Sequence, residues 1–236
     1  MSIKSLSIVA AAVLAFCAGA AQAVTTNGFA NGGFELAPTV GDPPGGPIFF
    51  ADSWLAAPTG NFAMRSSDAR TGSYSALVSA PNGFGGSTLF QNSVDHGRLA
   101  ELTAANVGDT PVLSFWAKGD VSTTGNVLFS LRYLAGNGGI LGNSGNVFFQ
   151  NQINTREWTK IEFQGAAIPA NTKAVFLEMN TAVGPLLDNR LNAVLIDDIY
   201  LGLASAAPIP EPETYALMLL GLAGVCAVAR RRRAAA

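Results

Sequence analysis

The chain has 236 residues, enough for one domain with appendages or for two small domains. Charged residues make up 13% of it and hydrophobic residues 49%, a balance that excludes an intrinsically disordered chain. A net charge of −2 excludes a nucleic-acid binder that works by phosphate neutralisation. One histidine (His96) and two cysteines exclude a His-rich zinc site and a multi-disulfide scaffold.

The first segment, residues 1–23, reads as a signal peptide. Lys4 supplies the positive start, residues 6–18 are apolar apart from Ser7, and Ala21-Gln22-Ala23 is a small-x-small cleavage site. Signal peptidase is thus an expected partner, and Val24 is the expected first residue of the mature chain. The apolar run is predicted to form a signal helix too short for a comfortable membrane span. Cys17 near the site raises the alternative of a lipoprotein signal, but Phe16 is too large for the residue before a lipidated cysteine.

Residues 24–207 contain no cysteine and are long enough to build a core without disulfides. Gly, Pro, Asn and Asp recur between short apolar runs, which predicts an all-β sandwich or barrel. The expected strands are 62–66, 74–80, 87–91, 99–102, 112–118, 127–134, 147–152, 159–164, 174–180 and 193–203. The stretches 38–47 and 136–145, rich in Pro or in Gly and Asn, read as loops. Alternation assigns the faces. Leu113, Phe115 and Ala117 point one way and Ser114, Trp116 and Lys118 the other. Val127, Phe129, Leu131 and Tyr133 form a second apolar row, opposite Ser130 and Arg132. Ile161 and Phe163 look inward, and Val175, Leu177 and Met179 oppose Phe176, Glu178 and Asn180. One apolar and one mixed face per strand is the pattern of two packed antiparallel sheets.

Several short pieces then carry a resemblance. Asn31-Gly32-Gly33-Phe34-Glu35 followed by Trp54 resembles the opening of the jelly-roll carbohydrate-binding modules. Residues 72–77 (GSYSAL), 114–119 (SFWAKG), Trp158-Thr159-Lys160 and Ile196-Asp197-Asp198-Ile199 fall where that family has similar pieces. Together they span about residues 27–203. The resemblance implies an antiparallel jelly-roll β-sandwich. It also implies a structural calcium held by the glutamate of the opening motif and a late-strand aspartate, here Glu35 and Asp197. A hard cation needs six to eight oxygens, so carbonyls and water complete such a site. Asp198, next along the strand, is expected on the opposite face and outside that site.

Glycan binders stack aromatic faces on sugar rings beside polar groups. Trp116, Trp158 and Arg132 are the candidates here, with Phe176, Lys160, Glu162, Glu178 and Asn180 on the same mixed faces. The competing reading for both tryptophans is packing under a loop or at a sheet edge. Trp54 reads as a core plug. His96 lies in a Val94-Asp95-His96-Gly97 turn without a nucleophile elbow, and no spacing singles out a carboxylate pair for hydrolysis.

The tail begins with Pro210-Glu211-Pro212, continues through the uncharged run 215–229 and ends on Arg230, Arg231, Arg232 and Arg233. At about 1.5 Å per residue a helix over that run covers roughly 22 Å, short of the ~30 Å hydrocarbon core, so it predicts a short transmembrane helix that relies on snorkelling or thinning. The arginines act as a cytoplasmic membrane stop, which leaves the preceding domain outside. This arrangement resembles the PEP-CTERM sorting signal over residues 208–236, with Ile209 where Val is common. The resemblance implies exosortase as a partner, transient residence in the inner membrane and delivery to the cell surface or beyond. A plain membrane anchor on a Pro-rich stalk is the alternative. Three functions follow as expectations: a non-catalytic surface or matrix protein associated with exopolysaccharide, a carbohydrate-binding module acting alone, and a secreted glycan hydrolase or lyase.

Overall fold

Alternation of buried and half-buried residues gives the molecule its strands. The computed structural model describes residues 27–42, 46–57, 63–79, 85–121, 125–183, 193–205 and 220–221. The signal segment 1–23, the motif Pro210-Glu211-Pro212, Arg230 to Arg233 and nearly all of 215–229 lie outside the described residues. Among the described residues no helix is long and apolar enough to cross a membrane.

Residues 22–205 form one unit and hold all twelve described strands. These are β1 (Ile48–Ala51), β2 (Trp54–Ala56), β3 (Met64–Ser66), β4 (Ser75–Ser79), β5 (Gly85–Asn92), β6 (Thr110–Asp120), β7 (Gly125–Leu134), β8 (Ile140–Asn143), β9 (Val147–Phe148), β10 (Thr159–Gln164), β11 (Ala174–Val183) and β12 (Ala193–Ala204). One sheet runs β1-β2-β5-β11-β7-β8, with β9 also on β7; the other runs β10-β6-β12-β4-β3. Every described pairing is antiparallel. The result is the antiparallel jelly-roll β-sandwich expected from the sequence.

The faces follow the pleat. Leu113, Phe115 and Ala117 of β6 are buried, as are Val127, Phe129, Leu131 and Tyr133 of β7 and Val175, Leu177 and Met179 of β11. Rings from both sheets lock the centre. Phe115 of one sheet meets Phe129 of the other edge-on at 5.6 Å, and Phe149 and Phe163 close around them at 5.1 and 5.2 Å. Each such side chain contributes about 1.5–3 kcal/mol of burial, enough to outweigh the entropy of ordering it.

The departures from expectation have local causes. Residues 99–102 are not a strand. Their bonds go to the 93 turn and to Lys173, with Leu102 buried as an anchor. The stretch 147–152 is β9 followed by a 3-10 turn at Gln150–Gln152, because Phe149 turns into the core between them. β1 and β2 were not foreseen; they are short and joined by a tight Asp52-Ser53 turn, with Ser53 at φ 68°. The glycine-rich stretch 136–145 predicts a loop, yet the turn 135–139 closes with Ala135 N–H donating to Gly139 O at 2.8 Å and lays β8 on β7.

Candidate functional site

The sequence-flagged acids meet at the loop 70–74, between β3 and β4. Asp197 on β12 is fully buried. Its Oδ2 accepts from the Arg70 and Thr71 amides at 2.8 and 3.2 Å, and its Oδ1 from the Asp198 amide at 2.7 Å. Glu35 grips the same loop further on, accepting from Ser73 and Tyr74 amides at 3.0 and 2.9 Å. Between these grips stands Gly72 at φ 64°, where a Cβ would lie 2.3 Å from Glu35 Oε1, so a side chain there is strained and has to displace the Glu35 carboxylate.

Asp198 is not turned away from Asp197, and the expectation from strict alternation fails here. β12 carries a bulge between Asp197 and Tyr200, and Asp198 adopts φ 50°. Asp198 therefore reaches the same loop, accepting from Thr71 Oγ1 at 2.7 Å and pairing with Arg70 at 2.6 Å. The Oδ1 atoms of Asp197 and Asp198 each lie 3.6 Å from where a Cβ on Gly33 would stand. Burial pushes the Asp197 carboxyl up to about 6; the three amides resist that shift and the neighbouring Asp198 charge adds to it.

The opening motif is held in place by half-buried Asn27 and by buried Gln91 and Trp54. Asn27 bonds Ile199 O and accepts from Leu201 N–H at 2.7 and 2.9 Å. Gln91 clasps both backbone groups of Ala30. Trp54, wholly buried, donates its indole N–H to Ala30 O and Asn31 O. Phe34 at φ 57° drives its ring against Trp54 at 5.2 Å. Trp54 is thus the core plug expected.

For a hard cation, the chemistry of the donor set is suitable but divided. Asp197 and Asp198 present oxygens beside the side-chain-free Gly33, while both Glu35 oxygens lie against the Ser73 amide. Among the described residues no group of three acid, His or Cys side chains is placed to hold a metal.

The glycan candidates separate onto two surfaces. Trp116 belongs to β6 of the five-stranded sheet and Trp158 immediately precedes β10; the Arg70 guanidinium covers the Trp116 ring at 3.7 Å, and Lys118 stands 5.1 Å from the Trp158 ring while pairing with Asp68 at 2.7 Å. Arg132 lies on the outer face of the seven-stranded sheet. There it pairs with Glu178 at 2.5 Å, and its guanidinium stands 5.8 Å from the Phe176 ring. Phe176 in turn meets Phe90 at 5.5 Å. Registers set these residues in cross-strand rows: Asn92, Phe176, Arg132 and Asn143; then Phe90, Glu178 and Ser130; then Thr88, Asn180, Leu128 and the half-exposed Phe148. With strands about 4.8 Å apart, four of them offer a surface roughly 15 Å wide. Asn180 donates to Glu178 at 2.9 Å and bonds Thr88. Phe90, Asn92 and Asn143 were not singled out in the sequence; only the pairing register reveals them. His96 lies in the 93–96 turn, with its ring edge-on to Phe49 at 5.5 Å.

Residues 208–233 match the PEP-CTERM protein-sorting motif. The motif implies an exported protein processed by an exosortase. No curated protein matches the chain. Among solved structures, the enzymatically active domain of tailspike protein 4 from bacteriophage CBA120 shares the fold, with a TM-score of 0.52 and 14% identity over 75% of this chain; the chain spans 21% of the tailspike chain. The CBM22-1 xylan-binding domain of Paenibacillus barcinonensis Xyn10C aligns at TM-score 0.43 and 16% identity, over 74% of this chain and 93% of that one. The C-terminal family 22 carbohydrate-binding module of Clostridium thermocellum Xyn10B aligns at 0.44 and 17%, over 79% and 100%.

The raised Asp197 carboxyl has a stability consequence. In chelator, the folded protein keeps that proton up to about 6, whereas the unfolded chain releases it near the ordinary 3.8. The unfolded state therefore binds fewer protons between these values, and stability falls as pH rises through that window. Asp197→Asn should flatten this part of the profile. Thermal melts of both proteins across the window are the check; parallel slopes would assign the effect elsewhere.

Proposed function

We propose that the protein is a non-catalytic cell-surface or matrix protein that holds exopolysaccharide on the outer face of its seven-stranded sheet. The observation that carries this reading is the cross-strand set Phe90, Phe176, Arg132, Glu178 and Asn180. It joins two aromatic rings to an ion pair and an amide on one open sheet face. Aromatic faces suit the C–H side of sugar rings, and the paired polar groups keep spare donors and acceptors for hydroxyls. The Arg132–Glu178 pairing leaves no surplus charge at its centre, which suits holding a polymer rather than cutting it. Trp116 is the weaker platform, because Arg70 already occupies one side of its ring. Titration calorimetry against a panel of neutral and acidic polysaccharides tests this. Phe176→Ala should weaken the best ligand at least about tenfold; unchanged affinity, or no binding across the panel, would overturn the reading.

The tail supports delivery to the surface. The expected outcome is a surface form that starts at Val24 and has lost everything after about Pro212. Intact-mass measurement of protein recovered from the cell surface checks this, and a retained arginine tail would favour the plain anchor.

Calcium is the cofactor this reading includes. Asp197 and Asp198 would hold it beside Gly33, with Glu35 at the neighbouring end of the loop and carbonyls and water completing the shell. Bound calcium would neutralise a group of carboxylates in which Arg70 pairs with Asp198 and backbone amides serve Asp197 and Glu35. Melting in calcium should exceed melting in chelator by several degrees, and Asp198→Asn should shrink the difference. Identical melts would remove calcium from the account.

A further inference from the structure

Beyond the row of Phe176 and Arg132, the seven-stranded sheet ends in a cavity of about 160 Å³. Asn92, Asp95, Glu101 and Lys173 give it polar groups, and Val94 and Leu134 give it apolar wall. Three strand ends converge there: Asn92 closes β5, Leu134 closes β7, and Ala174, opposite Leu134, opens β11. The turn 135–138 forms a further side, with Gly138 at φ 80°. Ala174 is two residues from Phe176 on one strand, so cavity and aromatic face lie roughly 7 Å apart.

The polar lining is organised by the protein itself. Asn92 Oδ1 accepts from the Val94 and Asp95 amides at 2.9 and 3.3 Å, and its Nδ2 donates to Asp95 at 2.8 Å. Lys173 bridges to Glu101 at 2.6 Å. Each carboxylate has lone pairs beyond the bond it makes, and the ammonium has further protons. Acceptors, a donor and an aliphatic wall in one small space match a sugar ring, which carries hydroxyls at its rim and C–H bonds on its faces. The volume is below the ~300–1,000 Å³ of pockets for larger ligands, which limits the occupant to one ring. Two carboxylates against one ammonium select against a uronate.

We propose that this cavity is a subsite for one neutral pyranose-sized sugar unit, an end or a branch of the polymer lying across Phe176. The inference rests on the polysaccharide reading of the sheet face, and the two can fail separately. Full-length isotopically labelled protein in detergent is titrated by NMR with free glucose, xylose, mannose and glucuronate. The amides of Asp95, Gly136 and Gly138 should shift saturably with at least one neutral sugar and not with glucuronate. Asp95→Ala and Lys173→Met should each weaken that binding severalfold, while Phe176→Ala should leave it intact and weaken only polysaccharide. No shift with any neutral sugar, or equal shifts with glucuronate, overturns the subsite. Polysaccharide affinity lost in Phe176→Ala and kept in both cavity variants, without amide shifts, leaves the face and sinks the cavity. Amide shifts without polysaccharide binding sink the face alone.

Discussion

The described domain is organised around one buried negative charge. Asp197 has no access to water, so its carboxylate has to be satisfied by the protein. Three backbone amides do this, two from the loop before β4 and one from the residue beside it. Satisfying Asp197 fixes the path of residues 70–71, and the same loop then presents its next amides to Glu35. The opening segment of the chain, the loop before β4 and the last strand are thereby joined at one place. Removing the acid would take the acceptor from three part-buried backbone amides at once and release the loop before β4 from the last strand.

The same joint accounts for the bulge in β12. A regular strand would point Asp198 away, leaving Arg70 and Thr71 without their second acid. The positive φ at Asp198 carries a backbone cost, which its bonds to Thr71 and Arg70 offset. The bulge also lets Ile199 pack inward and donate its amide to Gly32. Arg70, held by Asp198, extends over Trp116 and draws that ring into the support of the loop. One sheet face is thus spent on structure. The opposite sheet keeps an open surface whose polar residues are paired with one another along the register. The binding role proposed for Arg132, Phe176 and Glu178 rests on this division.

Much of the fold was legible because strand periodicity is local. Residues 159–164 were expected as a strand and form β10 with those bounds, and the inward rows of β6, β7 and β11 follow from alternation alone. β2, three residues long and buried at every position, shows no alternation to read. β8 was hidden because glycine-rich sequence reads as loop until a partner strand supplies its hydrogen bonds. Of the candidate site, two acids were legible and their arrangement was not. Glu35 and Asp197 were picked out and do meet one loop, but the bulge that recruits Asp198 is a tertiary event.

By itself the sequence determined the sorting tail, the all-β class and the side of each long strand that is buried. These depend on order and alternation within a few residues. Only the tertiary structure decided that Trp116 and Arg132 lie on different sheets and that Phe90 joins Phe176. It also decided that β5, β7 and β11 end around one cavity. Such neighbours are set by register between strands distant in the chain, where a shift of one residue would send every side chain to the other face.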